Sequence, residues 1–330
     1  MIRRRRGQGG FTLVELMVSL VIFSFVVAGA LSVAVALTNG YRSQRQSIGA
    51  EGAARASMDF IADAFRGGSP GVPSGLIQDI RSCEIGPIAH GDGTGPGGTD
   101  TLRMVFASGA VVSSTIAPFA RGAAVIQLAD ATGFRAGDAL LVTNFSVGHI
   151  VYVGGVNSAT ELRVQTSPAC TALIAFPSGD TVYARGALAV RVRTAMFAVA
   201  PLDGVPTLWM DPDGSGPAVA EPLAEGVEDF QVEIGTDATG DGITEVGAGG
   251  NDDEWVGNHA ADSPLAPTAV LRAVRLGLVA RTVAPLLGKL QYAPPLLANH
   301  TPTPPPGGFD GYRRRVLTSV IEIRNLGGVR

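Results

Sequence analysis

One carboxylate stands where a carboxylate is costly. From residue 11 to residue 37 the chain is apolar or glycine except for Thr12, Glu15, Ser19, Ser24 and Ser32, and Glu15 alone is ionisable. An acid inside a stretch of hydrocarbon-spanning length marks function by default, and its chemistry is to pair with a cation. Just upstream lie four arginines, Arg3, Arg4, Arg5 and Arg6, and the pair Gly9-Gly10 before Phe11. Two acidic loops invite a test for calcium. DPDGSG (211–216) puts Asp211, Asp213 and Ser215 at alternate positions with Gly216 sixth, but the twelfth position is Pro222, and Glu221 comes one residue early. DATGDG (237–242) offers Asp237, Thr239 and Asp241. Asp-Gly turn chemistry accounts for both, so no metal is expected.

Nothing in the sequence argues for an enzyme. His90, His149, His259 and His300 are scattered, no G-x-S-x-G occurs, and no histidine neighbours a cysteine. GTGPGG (93–98) satisfies G-x-G-x-x-G literally, yet it follows no strand pattern, opens no helix and contains Pro96, so no cofactor is expected. Trp209 and Trp255 read as core packing, with interface anchoring the alternative. Two cysteines, Cys83 and Cys170, are too few for a disulfide scaffold. In an oxidising compartment they form one bridge; otherwise they are two separately buried thiols.

The elements that must position Glu15 follow from length and charge. A helix over residues 11–37 spans about 40 Å, enough to cross a bilayer with tilt. The arginines before it, against Arg42 and Arg45 soon after, place the N-terminus in the cytoplasm and the remainder across the membrane. A secretory signal peptide has a shorter apolar core and small residues after it; here Gly9 and Gly10 come before it. A plain anchor explains the length and the arginines but leaves Glu15 without a role. Met58, Ile61 and Phe65 continue one apolar face, and Gly67-Gly68 with Pro70 and Pro73 end it.

GFTLVELMVSLVIF (10–23) resembles the type III signal of type IV prepilins and pseudopilins. The resemblance implies removal of a leader, residues 1–10, by a prepilin peptidase cutting between Gly10 and Phe11, and N-methylation of Phe11. It implies that Glu15, the fifth residue of the mature chain, acts in filament assembly. Helices packed side by side have no fixed axial register from apolar faces alone. A Glu15 carboxylate neutralising the α-amino group of Phe11 on a neighbour selects one, because the unpaired charges are costly. Many major pilins carry a proline near position 32, and this chain has Ser32.

The rest of the chain reads as strands and loops. Of 330 residues 46% are hydrophobic, 16% charged and only 6% aromatic, with 44 glycines and 21 prolines, which favours a strand-rich, loop-rich body. The net charge of −4 becomes −8 without the four leader arginines, leaving 21 basic and 29 acidic residues, and disfavours nucleic acid as a partner. Residues 69–98 are expected to be loop, and strands are expected over 101–107, 123–129, 138–145, 149–156, 161–166, 180–186 and 188–199. EDFQVEI (228–234), AVRLGLVAR (273–281) and RRVLTSVIEIRN (314–325) alternate cleanly, as half-buried strands of one antiparallel sheet do.

GVEDFQVEIG, VRLGLVART and the final RRRVLTSVIEIRN are similar to the C-terminal pattern of PilW-type minor pilins, as are GFRAGDALLVTN and LWM. The expected fold is α+β and pilin-like: a long N-terminal helix, half in the membrane, packed on an antiparallel β-sheet with an enlarged β-rich insertion. The expected divisions are leader 1–10, membrane and assembly helix 11–37, periplasmic half-helix 38–66 and β-rich domain 67–330, with the insertion at 99–200 and the C-terminal sheet at 225–330. By resemblance the chain is a minor pilin that primes a type IV pilus and sits at its tip, a filament serving adhesion and twitching motility. Its implied partners are other minor pilins, the major pilin, the prepilin peptidase, the inner-membrane assembly platform and a large tip adhesin. It would be held in the inner membrane by one span, body periplasmic, before reaching the cell surface. A minor pseudopilin of a type II secretion system and a ligand-binding tip pilin are the alternatives.

Overall fold

A computed structural model describes residues 11–66, 72, 76–81, 83, 85–120, 122–165, 182–212, 219–237, 239–240, 254–259, 265, 269, 271–285 and 291–323. The chain divides into two units, Met1–Ile48 and Gly49–Arg330. A single α-helix, α1, runs Leu13–Arg66 without interruption at Ser32, whose hydroxyl bonds back to the Gly29 carbonyl at 2.8 Å. In the first unit its apolar side chains are exposed, Leu13, Phe23 and Phe25 among them. That is the surface of a helix whose medium is lipid or other helices, since in water it would be driven to bury.

In the second unit the helix has one buried face, Ala50, Ala54, Ser57, Met58, Ile61, Ala62, Ala64 and Phe65. The i, i+3, i+7 spacing of Met58, Ile61 and Phe65 generates that face. It packs into a core with strands of both larger sheets.

Among the described residues sixteen strands follow in chain order: β1 (Ile77–Asp79), β2 (Ile88–Gly91), β3 (Thr101–Ser114), β4 (Phe119–Ala120), β5 (Val125–Gln127), β6 (Ala139–Thr143), β7 (Gly148–Ser158), β8 (Glu161–Gln165), β9 (Val182–Tyr183), β10 (Leu188–Leu202), β11 (Val205–Asp211), β12 (Glu221–Glu225), β13 (Val227–Thr236), β14 (Trp255–Val256), β15 (Leu271–Arg281) and β16 (Arg314–Glu322). A ten-stranded sheet has the order β12-β11-β10-β6-β7-β8-β5, with β3 also on β10, β2 on β3, and β1 parallel to β7. A four-stranded antiparallel sheet has the order β14-β13-β15-β16. The fold is therefore the expected α+β arrangement: one long N-terminal apolar helix, then an antiparallel β-rich region.

Strand β10 joins two cores. Its first part, with Ala189, Val190 and Val192, lies between β3 and β6 in a core made within the insertion; its later part, with Ala195, Phe197 and Val199, lies in the core that covers α1. The register on β3 shifts between Val190 and Val192, opposite Val112 and Ala107, within the first core and before β10 enters the second at Ala195. An irregularity of this kind interrupts the ladder and increases local twist.

Two expectations need correction. Residues 69–98 are not loop throughout, because they contain β1 and β2. These strands are three and four residues long, too short for periodicity to register, and exist because β7 and β3 offer them an edge. Nor is β13 half-buried: its polar face is covered too, with Asp229, Gln231 and Glu233 all buried. Loops bring His300 onto Asp229 and the Gly98 carbonyl onto Gln231, while Arg275 on β15 pairs with Glu233. Partnered in this way, Asp229, Glu233 and the amide nitrogen of Gln231 are buried without the penalty of an orphaned group, whereas Gln231 Oε1 has no hydrogen-bond partner among the described residues.

A separate polar knot ties down the start of the insertion. Asp79, at the end of β1, accepts from Arg103 of β3, from the Tyr152 phenol of β7 at 2.7 Å and from the Arg81 amide at 2.8 Å. Burial, with the Asp79 charge second, pushes the Tyr152 phenol well above its ordinary value, so it serves as a donor at all physiological pH. Nearby, Cys83 is in a disulfide; Cys170 lies outside the described residues.

Candidate functional site

Glu15 is placed by its own helix end. Thr12 is the last residue before α1, and its carbonyl accepts the first helical bond, from Leu16 N at 3.1 Å. The Thr12 hydroxyl accepts from Glu15 N at 3.3 Å, and Glu15 Oε2 accepts from Thr12 N and from Thr12 Oγ1, each at 3.0 Å. This reciprocal T-x-x-E arrangement is a capping box, which satisfies helix-terminal N–H groups that otherwise have no partner. The sequence reading saw the charge of Glu15 and missed this second job; the signal, threonine three residues before a glutamate ahead of an apolar run, was on the page.

The geometry divides the carboxylate in two. Oε2 is engaged by Thr12, and no hydrogen bond reaches Oε1 among the described residues. The other polar side chains of the run are satisfied by carbonyls one turn back: Ser19 on Glu15 O at 2.6 Å, Ser24 on Leu20 O at 2.7 Å. Oε1 is thus left able to accept a bond from outside the chain. Phe11, 85% exposed, and Thr12 are both non-helical. Residues 1–10, Gly10 among them, lie outside the described residues, so of the Gly10–Phe11 pair only Phe11 is placed.

The other sequence candidates carry structural roles. Asp237 is buried and bound by Arg272, whose Nε lies 2.9 Å away, and it also caps the Gly240 amide at 2.7 Å. A guanidinium already bound to the carboxylate, where a metal cation would stand, leaves such a cation little to bind. Most of the 211–216 loop lies outside the described residues, and among those described no cluster of three metal-ligating side chains occurs. GTGPGG (93–98) forms a short 3-10 turn, Pro96–Gly98, and Gly98, at φ 89°, lies against the ring of His300; an added Cβ would stand 2.8 Å from Nε2. Trp209 donates to the Ala200 carbonyl at 3.1 Å, and Trp255 is buried under the Arg275 guanidinium, 4.2 Å from its ring centroid.

Three of the four histidines, unremarkable by spacing, are paired in space. His300 Nδ1 lies 2.7 Å from Asp229 Oδ2, His90 Nε2 lies 3.3 Å from Asp100 Oδ2, and His149 Nδ1 lies 2.7 Å from the Tyr183 hydroxyl. Asp100 also receives the amides of Gly93 at 2.8 Å and Val232 at 2.7 Å, which ties the 93–100 turn to β13. Beside His300 is a cavity of about 180 Å³ with Pro96, Thr99, Asp229, Pro294 and Pro302 in its wall. No hydroxyl or thiol shares a hydrogen bond with His300 among the described residues, so this is a clamp on a loop and lacks the nucleophile of a catalytic dyad.

Arg314 completes the clamp. Its guanidinium, 4% exposed, reaches both carboxylate oxygens of Glu228 and of Asp310, holding the segment 291–313 against β13 and β16. The hydrogen bond from Arg314 holds the Asp310 carboxyl below its usual range.

The two ends of the chain match two known families. Residues 5–31 match the prokaryotic N-terminal methylation motif, and residues 196–325 match the type IV pilus-assembly protein W. No curated protein and no solved structure matches the chain. An exposed apolar helix capped by Thr12 and Glu15, carrying that motif, defines a protein of the type IV prepilin class, with the helix that anchors such proteins in the inner membrane. The strands packed on the same helix carry the match to pilus-assembly protein W, so the chain is, more particularly, similar to PilW and pilin-like, of the kind involved in pilus assembly.

Proposed function

We propose that the chain is a minor type IV pilin that primes assembly of the filament and remains at its tip. The observation that carries the reading is the position of the second core. The match to pilus-assembly protein W starts at residue 196, next to Ala195, where β10 enters the core that covers α1. Most of the sheet before that point has its own core and lies outside the match. A bulk of that kind is easily carried once, at an end, whereas a shaft subunit would have to fit it at every repeat.

In this reading prepilin peptidase cuts between Gly10 and Phe11, Phe11 is N-methylated, and the body is periplasmic. Oε1 of Glu15 accepts the α-ammonium of Phe11 on the adjacent subunit while Oε2 keeps the helix cap. Cys83 pairs with Cys170, the other cysteine of the sequence, in the oxidising periplasm. Other minor pilins, the major pilin and the assembly platform are the partners, with a large adhesin at the tip.

The test is to delete the gene with and without the retraction motor and count surface filaments by electron microscopy. Filaments lost, then partly restored without retraction, are expected. Normal filaments in both strains would overturn the priming role and move the assignment to a secretion pseudopilin or a ligand-binding tip, which an assay of exported enzymes would separate.

A further inference from the structure

Among the described residues the C-terminal sheet ends in an unpaired edge. Strand β16 pairs with β15 in one unbroken register, Arg314 opposite Arg281 through to Glu322 opposite Ala273. Just beyond the strand's two ends, the Thr282 amide donates to the Arg313 carbonyl at 3.0 Å and the Ile323 amide donates to the Arg272 carbonyl at 2.8 Å. Both bonds fall on odd-numbered residues, so the odd residues of β16 bond inward to β15. The N–H and C=O groups of 314, 316, 318, 320 and 322 therefore point away from the sheet.

Beside those groups is an apolar row. Val316 is 45% and Val320 59% exposed, with Thr318 exposed between them, while Leu317 and Ile321 on the other face are buried in the core that covers α1. The other edges of the described sheets are guarded or short. β12 has five residues with Pro222 and two glutamates, β14 has two and β5 three. β16 has nine, with no proline, and its charged residues, Arg314, Arg315 and Glu322, stand at its two ends. A long edge uncharged from Val316 to Ile321 is a template for another strand.

We infer that β16 is completed in the assembled filament by an extended segment of a neighbouring, different pilin-class subunit. This rests on the pilus-assembly reading above. A second copy of the chain does not fit. Antiparallel pairing of two β16 strands runs about a two-fold axis normal to the joined sheet and reverses one copy's helix relative to the other. Parallel pairing puts the two helices on opposite faces of that sheet. Subunits entering one helix bundle from one membrane meet neither condition. The edge is basic at its start, with Arg313 and Arg315, and acidic at its end, with Glu322. The incoming segment therefore places apolar side chains against Val316 and Val320.

The test uses the full chain in its own membrane, with a benzophenone amino acid at position 318 and, separately, Thr318→Pro. The proline removes an outward N–H and leaves the β15 ladder intact; Ser319→Pro, which removes an inward one, is the control for a broken strand. Expected are a photoadduct whose mass spectrum contains another pilin with its own N-methylation signal, and a drop of about tenfold or more in that pilin's co-recovery with Thr318→Pro at unchanged chain level. An adduct with a second copy, no adduct, or unchanged co-recovery overturns the assignment. Where Thr318→Pro lowers the chain level, the adduct alone decides. Absence of any pilin from the wild-type complex would instead sink the pilus reading beneath it.

Discussion

Glu15 caps α1 in this structure and, in the proposed filament, pairs with a neighbouring subunit; substitutions at Thr12 and at Glu15 separate the two jobs. Thr12→Val keeps the shape but removes the hydroxyl that accepts from Glu15 N at 3.3 Å and donates to Oε2 at 3.0 Å. Loss of an N-cap costs about 1 kcal/mol, a roughly fivefold fall in the occupancy of the first turn. Glu15→Gln keeps a capping box, since glutamine serves at the third helical position as glutamate does. It removes only the negative charge, and an ammonium left without its partner in an apolar bundle costs about 3 kcal/mol or more, over a hundredfold in incorporation. The assay is the ratio of chain in sheared filaments to mature chain in membranes, by quantitative immunoblot, with mass spectrometry of the N-terminal peptide to verify processing. Glu15→Gln should lower that ratio by about two orders of magnitude and Thr12→Val by only about fivefold. The register argument fails if Glu15→Gln incorporates like the wild type while Thr12→Val does not, because the carboxylate would then matter only as a cap.

Gly10→Leu should leave an unshortened, membrane-held precursor, and a product of normal mature size would refute cleavage at that junction. Ile61→Ala, at a side chain with no exposure, should cost about 2–5 kcal/mol, seen as a lower thermal midpoint of the detergent-solubilised chain; an unchanged midpoint would refute the packing of α1 on the C-terminal strands. Gly226→Ala should destabilise by about 1–3 kcal/mol or more, because φ is 81° and the new Cβ would stand 2.5 Å from the Arg281 carbonyl oxygen. Asp310 is held below its ordinary value of 3.8, so its contribution to anchoring 291–313 is complete above that pH and is lost as pH falls through the lower, folded value. Amide exchange at Tyr292 and Asp310, whose backbones bond each other at 2.8 and 3.1 Å, should stay slow at pH 5 and quicken only in stronger acid; quickening already near pH 6 would refute the clamp.

Much of this protein was legible in its residues, because the signals are local. Helix length, the lone acid and the glycine-phenylalanine junction depend only on neighbours in sequence. So does the two-residue alternation that places Phe230, Val232 and Ile234 on one side of a strand. Elements whose existence depends on a distant edge were illegible. β1 and β2 are too short to carry a period, and β11 and β12, for which no strand was expected, form because β10 offers a ladder to β11 and β11 one to β12.

The same distinction governs the candidate site. The sequence by itself determined that a carboxylate stands in the apolar helix and that a threonine three residues earlier could cap it. Only the tertiary structure decided what else is paired: His300 with Asp229 across 71 residues, Arg314 with Glu228 across 86, and Asp100 with the Val232 amide across 132. Charge and hydrogen-bonding capacity are properties of a residue, whereas satisfaction depends on which groups the packed core brings within about 3 Å. The core also decided which strand was left at the edge. β16 alternates as cleanly as β13, yet β13 is enclosed on both faces while β16 keeps one side of its backbone unpaired.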